Sequence, residues 1–435
     1  MRIIAEDLVG LAEALEAGAL TSAALVERAV RRYAETEPQI HAFAWLDAAR
    51  ARHFATVSDE RRRTRGAVGP LEGIPIGVKD IFDTAGIPTE NGSALFAGRV
   101  PDTSCPAVRA AEAAGAIMLG KTVTAELAYM TPGQTLNPWD PSRTPGGSSM
   151  GSAAAVAAGV VPAAIGSQTN GSVIRPAAFC GVVGFKPTVG RIPTEGVFEF
   201  SRTLDHAGVL ARSVRSAGLL AAILAGETER APHADHDTTP RFAALRTSEW
   251  EHASDDMRAR FQADVDALAL VGGPVEWPKP PAGLDDAPEI LRTVMLYEAG
   301  QAVLPKVARR PETVSALARA RLAEGARIDH REYAKALAAR DRLVATFLDW
   351  ASAYDAILTP PTTGEAPTPE TTGDPRFCSR WSLLGAPAIT IPTGLSPHRL
   401  PLGLQLVGAP GDDERLLAAA AWAEAMLPSI GAPPL

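Results

Sequence analysis

The sequence predicts an α/β protein built on a largely buried, partly parallel sheet, and three observations carry that reading. Between Leu71 and Thr194, short apolar runs such as IPIGV and AIML alternate with helical patterns such as CPAVRAAEAAG. Over the same stretch glycine, alanine and small hydroxyl residues dominate. Strand-like runs return near the C-terminus as DAIL (355–358), AITIP (388–392) and LGLQLVG (402–408).

In chain order, residues 4–18 and 22–35 read as two amphipathic helices, the second opened by Thr21 or Ser22 as cap and carrying Leu25, Ala29 and Tyr33 at helical spacing. The run SDERRRTR at 58–65 reads as a solvated loop or helix end that separates this leader, residues 1–60, from a core at 71–215. From about 225 to 350 the pattern turns helical and more charged, as in REYAKALAARDRLVATFLDW, which predicts a helical cover. The last part, 355–435, returns to strands and a helix, and its proline-rich segment 359–375 is a long loop of the kind that usually serves function.

Composition narrows the function. A chain of 435 residues with 46% hydrophobic and 21% charged residues has the profile of a globular enzyme, although length alone permits one large domain or two. Its net charge of −8 lacks the basic footprint of a nucleic-acid binder and speaks against anionic membranes. Three cysteines, Cys105, Cys180 and Cys378, are too few and too scattered for a disulfide framework or a metal site, and point to a reducing compartment. The N-terminus carries acids where a signal peptide would be basic, and no apolar run reaches roughly 18 residues, so a cytoplasmic protein is expected. Eight histidines without H-E-x-x-H or H-x-x-x-H spacing make a metal improbable.

The densest signal is PGGSSMGSAAAVAAG at 145–159 followed by IGSQTNGSVIRPAAFCGVVGFKP at 165–187. Two serine-bearing glycine turns flank one alanine-rich helix. Glycines allow positive φ and close backbone approach, and clustered N–H groups at such turns hold an anion or an oxyanion. No G-x-x-x-x-G-K-[ST] string is present to favour phosphate. A lone Gly-Ser turn is usually a structural loop; two coupled turns together with Lys79 in GIPIGVKD (73–80) are harder to set aside.

These three blocks resemble the signature blocks of the amidase signature family, and the resemblance continues in TLDHAGVLARSV (203–214), DAILTP and LPLGLQLVG. It implies a single α/β/α domain, residues 1–435, around a large mixed sheet, and hydrolysis of an amide without metal or organic cofactor. Carried over by motif, the triad falls on Lys79, Ser148 and Ser172, spaced by 69 and 24 residues. Lys79 would be the neutral base, its pKa depressed by burial. Ser148, which the family holds through a cis peptide bond, would relay the proton. Ser172 would be the nucleophile, with backbone N–H groups of Thr169, Asn170, Gly171 and Ser172 as oxyanion hole. Ser149 and Ser152 are either supports of the triad or plain helix caps.

This chain departs from the common family turn D-T-G-G-S-[IV]-R: Gln168 replaces the acid, Asn170 replaces a glycine, and the arginine falls at Arg175, one place later. That variant, with TTGDPRF and RWSLLGAPAITIP at 371–392, resembles the bacterial malonamidase subgroup, in which the arginine engages a substrate carboxylate. Arg175 is read either so or as a structural ion-pair partner. Tyr129, Met130, Trp381 and Leu383 are candidates to line the pocket, against the plainer reading of core. His206, although it follows Asp205, is read as structural, and Cys180 as a small buried residue.

The expected function is hydrolysis of a small-molecule amide, favouring a half-amide of a small dicarboxylic acid because of Arg175. Two alternatives stand beside it: a glutaminase subunit of an amidotransferase, marked by co-purifying partners, and a non-catalytic anion-binding module, marked by a Ser172 that no fluorophosphonate labels. The subgroup also suggests a homodimer. Whether 359–375 acts as a lid is not legible from the sequence.

Overall fold

The computed structural model describes residues 7–227 and 239–435. Among them, ten strands form one mixed sheet: β1 (Phe43–Leu46), β2 (Pro75–Lys79), β3 (Ile117–Thr122), β4 (Ala163–Gln168), β5 (Val183–Lys186), β6 (His206–Ala211), β7 (Phe242–Ala244), β8 (Ala356–Thr359), β9 (Ala388–Leu395) and β10 (Pro401–Val407). The spatial order is β1-β3-β2-β4-β6-β5-β9-β10-β8-β7. β2 runs parallel to both β3 and β4, and β7 parallel to β8; the other neighbours are antiparallel. The central strands are buried along their whole length, which is why their sequences read as continuous apolar and small-residue runs instead of alternating.

Helices cover both faces. In chain order they are α1 (Leu8–Glu16), α2 (Ser22–Ile40), α3 (Ala48–Arg65), α4 (Pro106–Ala113), α5 (Met150–Ala157), α6 (Ile174–Cys180), α7 (Val214–Leu224), α8 (Asp255–Gly272), α9 (Ala287–Ala302), α10 (Leu304–Val307), α11 (Ala316–Gly325), α12 (His330–Ala351), α13 (Arg376–Leu383) and α14 (Asp413–Met426). α1, α4, α7 and α14 pack with Ile76, Val78, Ile165, Val209 and Ile389 on one face. α2, α3 and the fully buried α5 pack with Leu119, Ala164 and Leu210 on the other. Helices α9 to α12 share a further apolar core that reaches Ile174, Phe200 and Trp381.

Thr21 is the cap of α2, its hydroxyl accepting the Ala24 N–H at 3.1 Å, and the helix runs past the expected end at 35 to Ile40. Of the first expected helix, residues 4–6 lie outside the described residues. The charge run 58–65 is the end of α3, where Arg62, Arg63 and Arg65 oppose the negative end of the helix dipole. β7 falls inside the stretch that reads as helical, because three residues of strand are too short for a period to register. Among the described residues no helix is long and apolar enough to cross a membrane.

Candidate active site

Lys79 closes β2 on the face opposite Val78, beneath the N-terminal turn of α5. It is wholly buried, and its Nζ meets three hydroxyls: Ser148 Oγ at 2.7 Å, Ser167 Oγ at 2.7 Å and Ser149 Oγ at 3.2 Å. Burial holds this amine far below the ordinary lysine range, against the opposing attraction of the Asp205 carboxylate. The amine's three hydrogen-bonding neighbours are neutral hydroxyls, so the one opposing pull is that of Asp205.

Ser167, at the end of β4, makes as short a contact to Lys79 as Ser148 does, and sequence reasoning missed it. The signal was the sheet: β2 pairs with β4 in parallel, Val78 opposite Ile165, which brings the end of β4 level with Lys79. Ser149 stands at the N-cap position of α5 but its side chain makes no capping hydrogen bond, and Ser152 lies inside the helix. Ser149 Oγ donates to Ser167 O at 3.0 Å, and Ser152 Oγ bonds Thr122 Oγ1 at 2.7 Å and Ile165 O at 3.0 Å. Ser149 therefore braces Lys79 and Ser167.

Among the described residues no peptide bond is cis, so the cis bond expected at Ser148 is not found. The turn is made by Gly146 and Gly147 instead, at φ 83° and 57°, with Phe179 and Pro176 filling the space a side chain would need. Ser172 sits on the facing turn, 8% exposed, and its carbonyl accepts the Ser149 N–H at 3.3 Å. Its Oγ makes no hydrogen bond among the described residues, a loose arrangement common before substrate is bound. Gly171 takes φ 129°, and the N–H groups of Asn170, Gly171 and Ser172 enter no backbone hydrogen bond among the described residues. The turn can thus offer them to an oxyanion.

Supports lie on both sides. Gln168 Oε1 accepts the Val173 and Ile174 N–H groups at 2.9 and 3.1 Å, capping α6, while its Nε2 donates to Ser382 on α13 at 3.0 Å. Thr169 Oγ1 donates to Asp205 Oδ1 at 2.5 Å. Burial pushes Asp205 up to about 6. Asn170 leaves its Oδ1 buried and unpaired.

Arg175, on α6, is 4% exposed, and its Nε and Nη1 have no partner. It makes no salt bridge among the described residues; Asp374, near it, bonds Arg376 instead, at 2.8 and 2.7 Å. Arg175 Nη1 lies 3.3 Å from where a side chain on Gly171 would begin, and its Cδ 3.2 Å from that point on Gly373. The segment 360–375 is tied down by Thr144 N–H to Pro367 O at 2.8 Å and Gly147 N–H to Thr372 O at 2.9 Å.

The other predicted residues scatter. Tyr129 stacks on Phe200 with centroids 4.6 Å apart, and Met130 beside it is 40% exposed. Trp381 and Leu383 are buried in the core shared with α9 and α12, Trp381 tilted against Phe347. His206 is buried, hydrogen-bonded through Nδ1 to Leu204 O at 2.6 Å and Gln168 O at 3.2 Å, and kept neutral by burial. Cys105, Cys180 and Cys378 are all free and buried. No group of histidine, cysteine and acid fit for a metal occurs among the described residues.

Comparison with known proteins identifies the family and the fold. The Amidase family profile matches residues 24–417. The chain is 35% identical to a glutamyl-tRNA(Gln) amidotransferase subunit of Anaeromyxobacter sp. (strain K) over 98% of both chains. It is 43% identical to the subunit of the same name from Chloroflexus aggregans, over 54% of this chain, and there it spans about half (50%) of the relative's length. A crystal structure of an amidase superposes with a TM-score of 0.89 at 34% identity, over 97% of this chain and 100% of that one. The chain belongs to the amidase signature family.

Proposed function

We propose that this chain hydrolyses a small amide that carries a carboxylate, through an acyl-enzyme on Ser172. The observation that carries the carboxylate is Arg175, a buried guanidinium with two unpaired nitrogens beside the nucleophile's turn. Burying such a group without an acceptor costs free energy on the order of 1–3 kcal/mol, so its retention calls for an anion from outside the fold.

In the proposed chemistry, Ser172 Oγ attacks the amide carbon as its proton passes to Ser148 and the Ser148 proton to neutral Lys79. The N–H groups at 170–172 receive the oxyanion. The ammonium of Lys79 returns a proton through Ser148 to the departing nitrogen, ammonia leaves, and water hydrolyses the ester by the same route. Arg175 holds the carboxylate at the far end. No metal or organic cofactor enters.

The sequence relatives lean to a second reading: their name is that of an amidotransferase subunit, which would make this chain an ammonia-supplying glutaminase within a larger assembly. Glutamine also carries a carboxylate that Arg175 would hold. Ammonia release from malonamate, glutamine, acetamide, benzamide and biuret separates the readings, with Ser172→Ala and Arg175→Met beside the wild type. Malonamate is expected to be preferred, with Arg175→Met raising its KM about 10- to 100-fold and leaving acetamide alone. Preference for glutamine, with partner subunits co-purifying, favours the second reading. Equal turnover of neutral amides with and without Arg175 makes the residue structural. Absence of both turnover and fluorophosphonate labelling of Ser172 returns the chain to an anion-binding module. A homodimer, expected from the subgroup, is checked by light scattering on the same preparation.

A further inference from the structure

The helical cover contributes one buried carboxylate that reaches toward the turn of Ser172. Glu298, on α9, is 4% exposed. Its Oε2 accepts the Ser201 hydroxyl at 2.5 Å and the Thr203 N–H at 3.0 Å; its Oε1 accepts the Thr203 hydroxyl at 2.5 Å and the Tyr333 hydroxyl, from α12, at 2.7 Å. Arg202, mostly exposed, lies 3.7 Å away. The segment 200–203 is gripped from its other side by Asp205, whose Oδ2 accepts the Phe200 and Ser201 N–H groups at 2.8 and 2.9 Å and whose Oδ1 accepts Thr169. Phe200 in turn carries Tyr129 on its face.

We propose that Glu298 is a positioning residue for amide hydrolysis, fixing the 200–205 segment and, through Asp205 and Thr169, the aim of the oxyanion turn. Four donors converge on one carboxylate, and two come from Thr203 alone, so a surface anchor's freedom is absent. The same short segment ends on Asp205, whose hydrogen bond is the tether among the described residues between Thr169 and anything beyond the turn. An oxyanion hole depends on donors held in place before the charge develops, so loosening Glu298 is expected to slow the chemical step without weakening substrate binding. This rests on the reading of Ser172 as nucleophile, not on the role of Arg175.

The test is Glu298→Gln, which keeps the size but turns one acceptor into a donor facing donors. Its kcat is expected to fall about tenfold on acetamide and on malonamate alike, with KM within about twofold and labelling of Ser172 by a fluorophosphonate slowed by the same factor. Tyr333→Phe, which removes one donor and leaves the carboxylate, should move kcat about two- to threefold in the same direction. Wild-type kcat and labelling in Glu298→Gln, or a rise in KM at constant kcat, overturns the proposal and makes Glu298 an anchor of the helical cover. If that variant does not fold, Tyr333→Phe and Thr203→Val decide, and unchanged kcat in both overturns it. An inactive wild type, or an active Ser172→Ala, would instead remove the nucleophile reading itself.

Discussion

A lysine that meets three serine hydroxyls and no carboxylate within hydrogen-bond reach is held neutral by its surroundings. A neutral amine has a lone pair, so Ser148 can donate to Lys79 while its own oxygen stays open to the Ser172 proton; an ammonium would fill both roles with donors and stop the relay. Lys79→Met is therefore expected to lower kcat by at least about a thousandfold. Its effect on stability has the opposite sense. The unfolded chain protonates this lysine up to about pH 10.4, whereas burial disfavours the proton in the folded chain, so the unfolded state binds more protons there and this lysine's contribution to stability rises as pH rises from neutrality toward that value. Lys186, fully buried against the carbonyls of Pro187 and Ala386 and held at about 7, adds a slope of the same sign. Urea midpoints at pH 7 and pH 9 should differ less in Lys79→Met than in wild type, with the Lys186 slope left behind. An unchanged difference would mean that Lys79 is charged in the folded protein.

At the scale of elements, the site is two turns pressed together, each followed by a helix, and glycine is required where they touch. Gly147 has φ 57°, and a Cβ there would stand 2.6 Å from Pro176 Cδ and 3.1 Å from Ser172 Cα. Gly147→Ala should therefore push the nucleophile's turn away from Ser148 and reduce kcat about a hundredfold or more, with a fall in Tm of several degrees; a near-native kcat would show that the turns need not touch. This part was legible in the sequence, because the constraint is local: paired glycines, a serine and a following helix announce a tight backbone turn wherever the chain carries them. That Lys79 meets Ser148, with Ser172 on the facing turn, was legible only through motifs that resemble the family's, since 69 residues separate the first two. What was not legible comes from the placement of distant strands and helices. Ser167 meets Lys79 by the register of β4 on β2. Ser149 and Ser152 read equally well as caps until the sheet behind them supplied Ser167 and Thr122 as partners. Glu298 lies in a helix whose pattern says only that one face is apolar, and its four donors come from 201, 203 and 333.

Across the whole molecule, the layer of helices remote from Lys79, Ser148 and Ser172 is joined by carboxylates as well as by apolar packing, and their share of stability runs with pH in the sense opposite to that of the buried lysines. Where α7 begins, Glu424 of α14 receives the Val214 N–H on both oxygens at 3.1 Å, while Asp7, before α1, receives the hydroxyls of Ser213 at 2.6 Å and Ser216 at 3.1 Å. Burial, with Asp7's charge beside it, pushes Glu424 up to about 7. A carboxyl whose pKa is raised on folding keeps its proton longer in the folded state. Its favourable share is complete below the ordinary carboxyl range near 4.3 and is lost as pH rises through about 7. Asp205, at about 6, acts with the same sign within the catalytic half. Glu424→Gln keeps an acceptor for Val214 and removes the charge. It should match wild-type stability at pH 4 and exceed it at pH 8 by about 1 kcal/mol, a figure reduced because water reaches part of this side chain. Chemical denaturation at the two pH values measures this directly. Since Glu424 lies apart from Lys79, Ser148 and Ser172, kcat should stay at the wild-type level at both. A variant that gains nothing at pH 8 would show that Glu424 is ionised there without penalty.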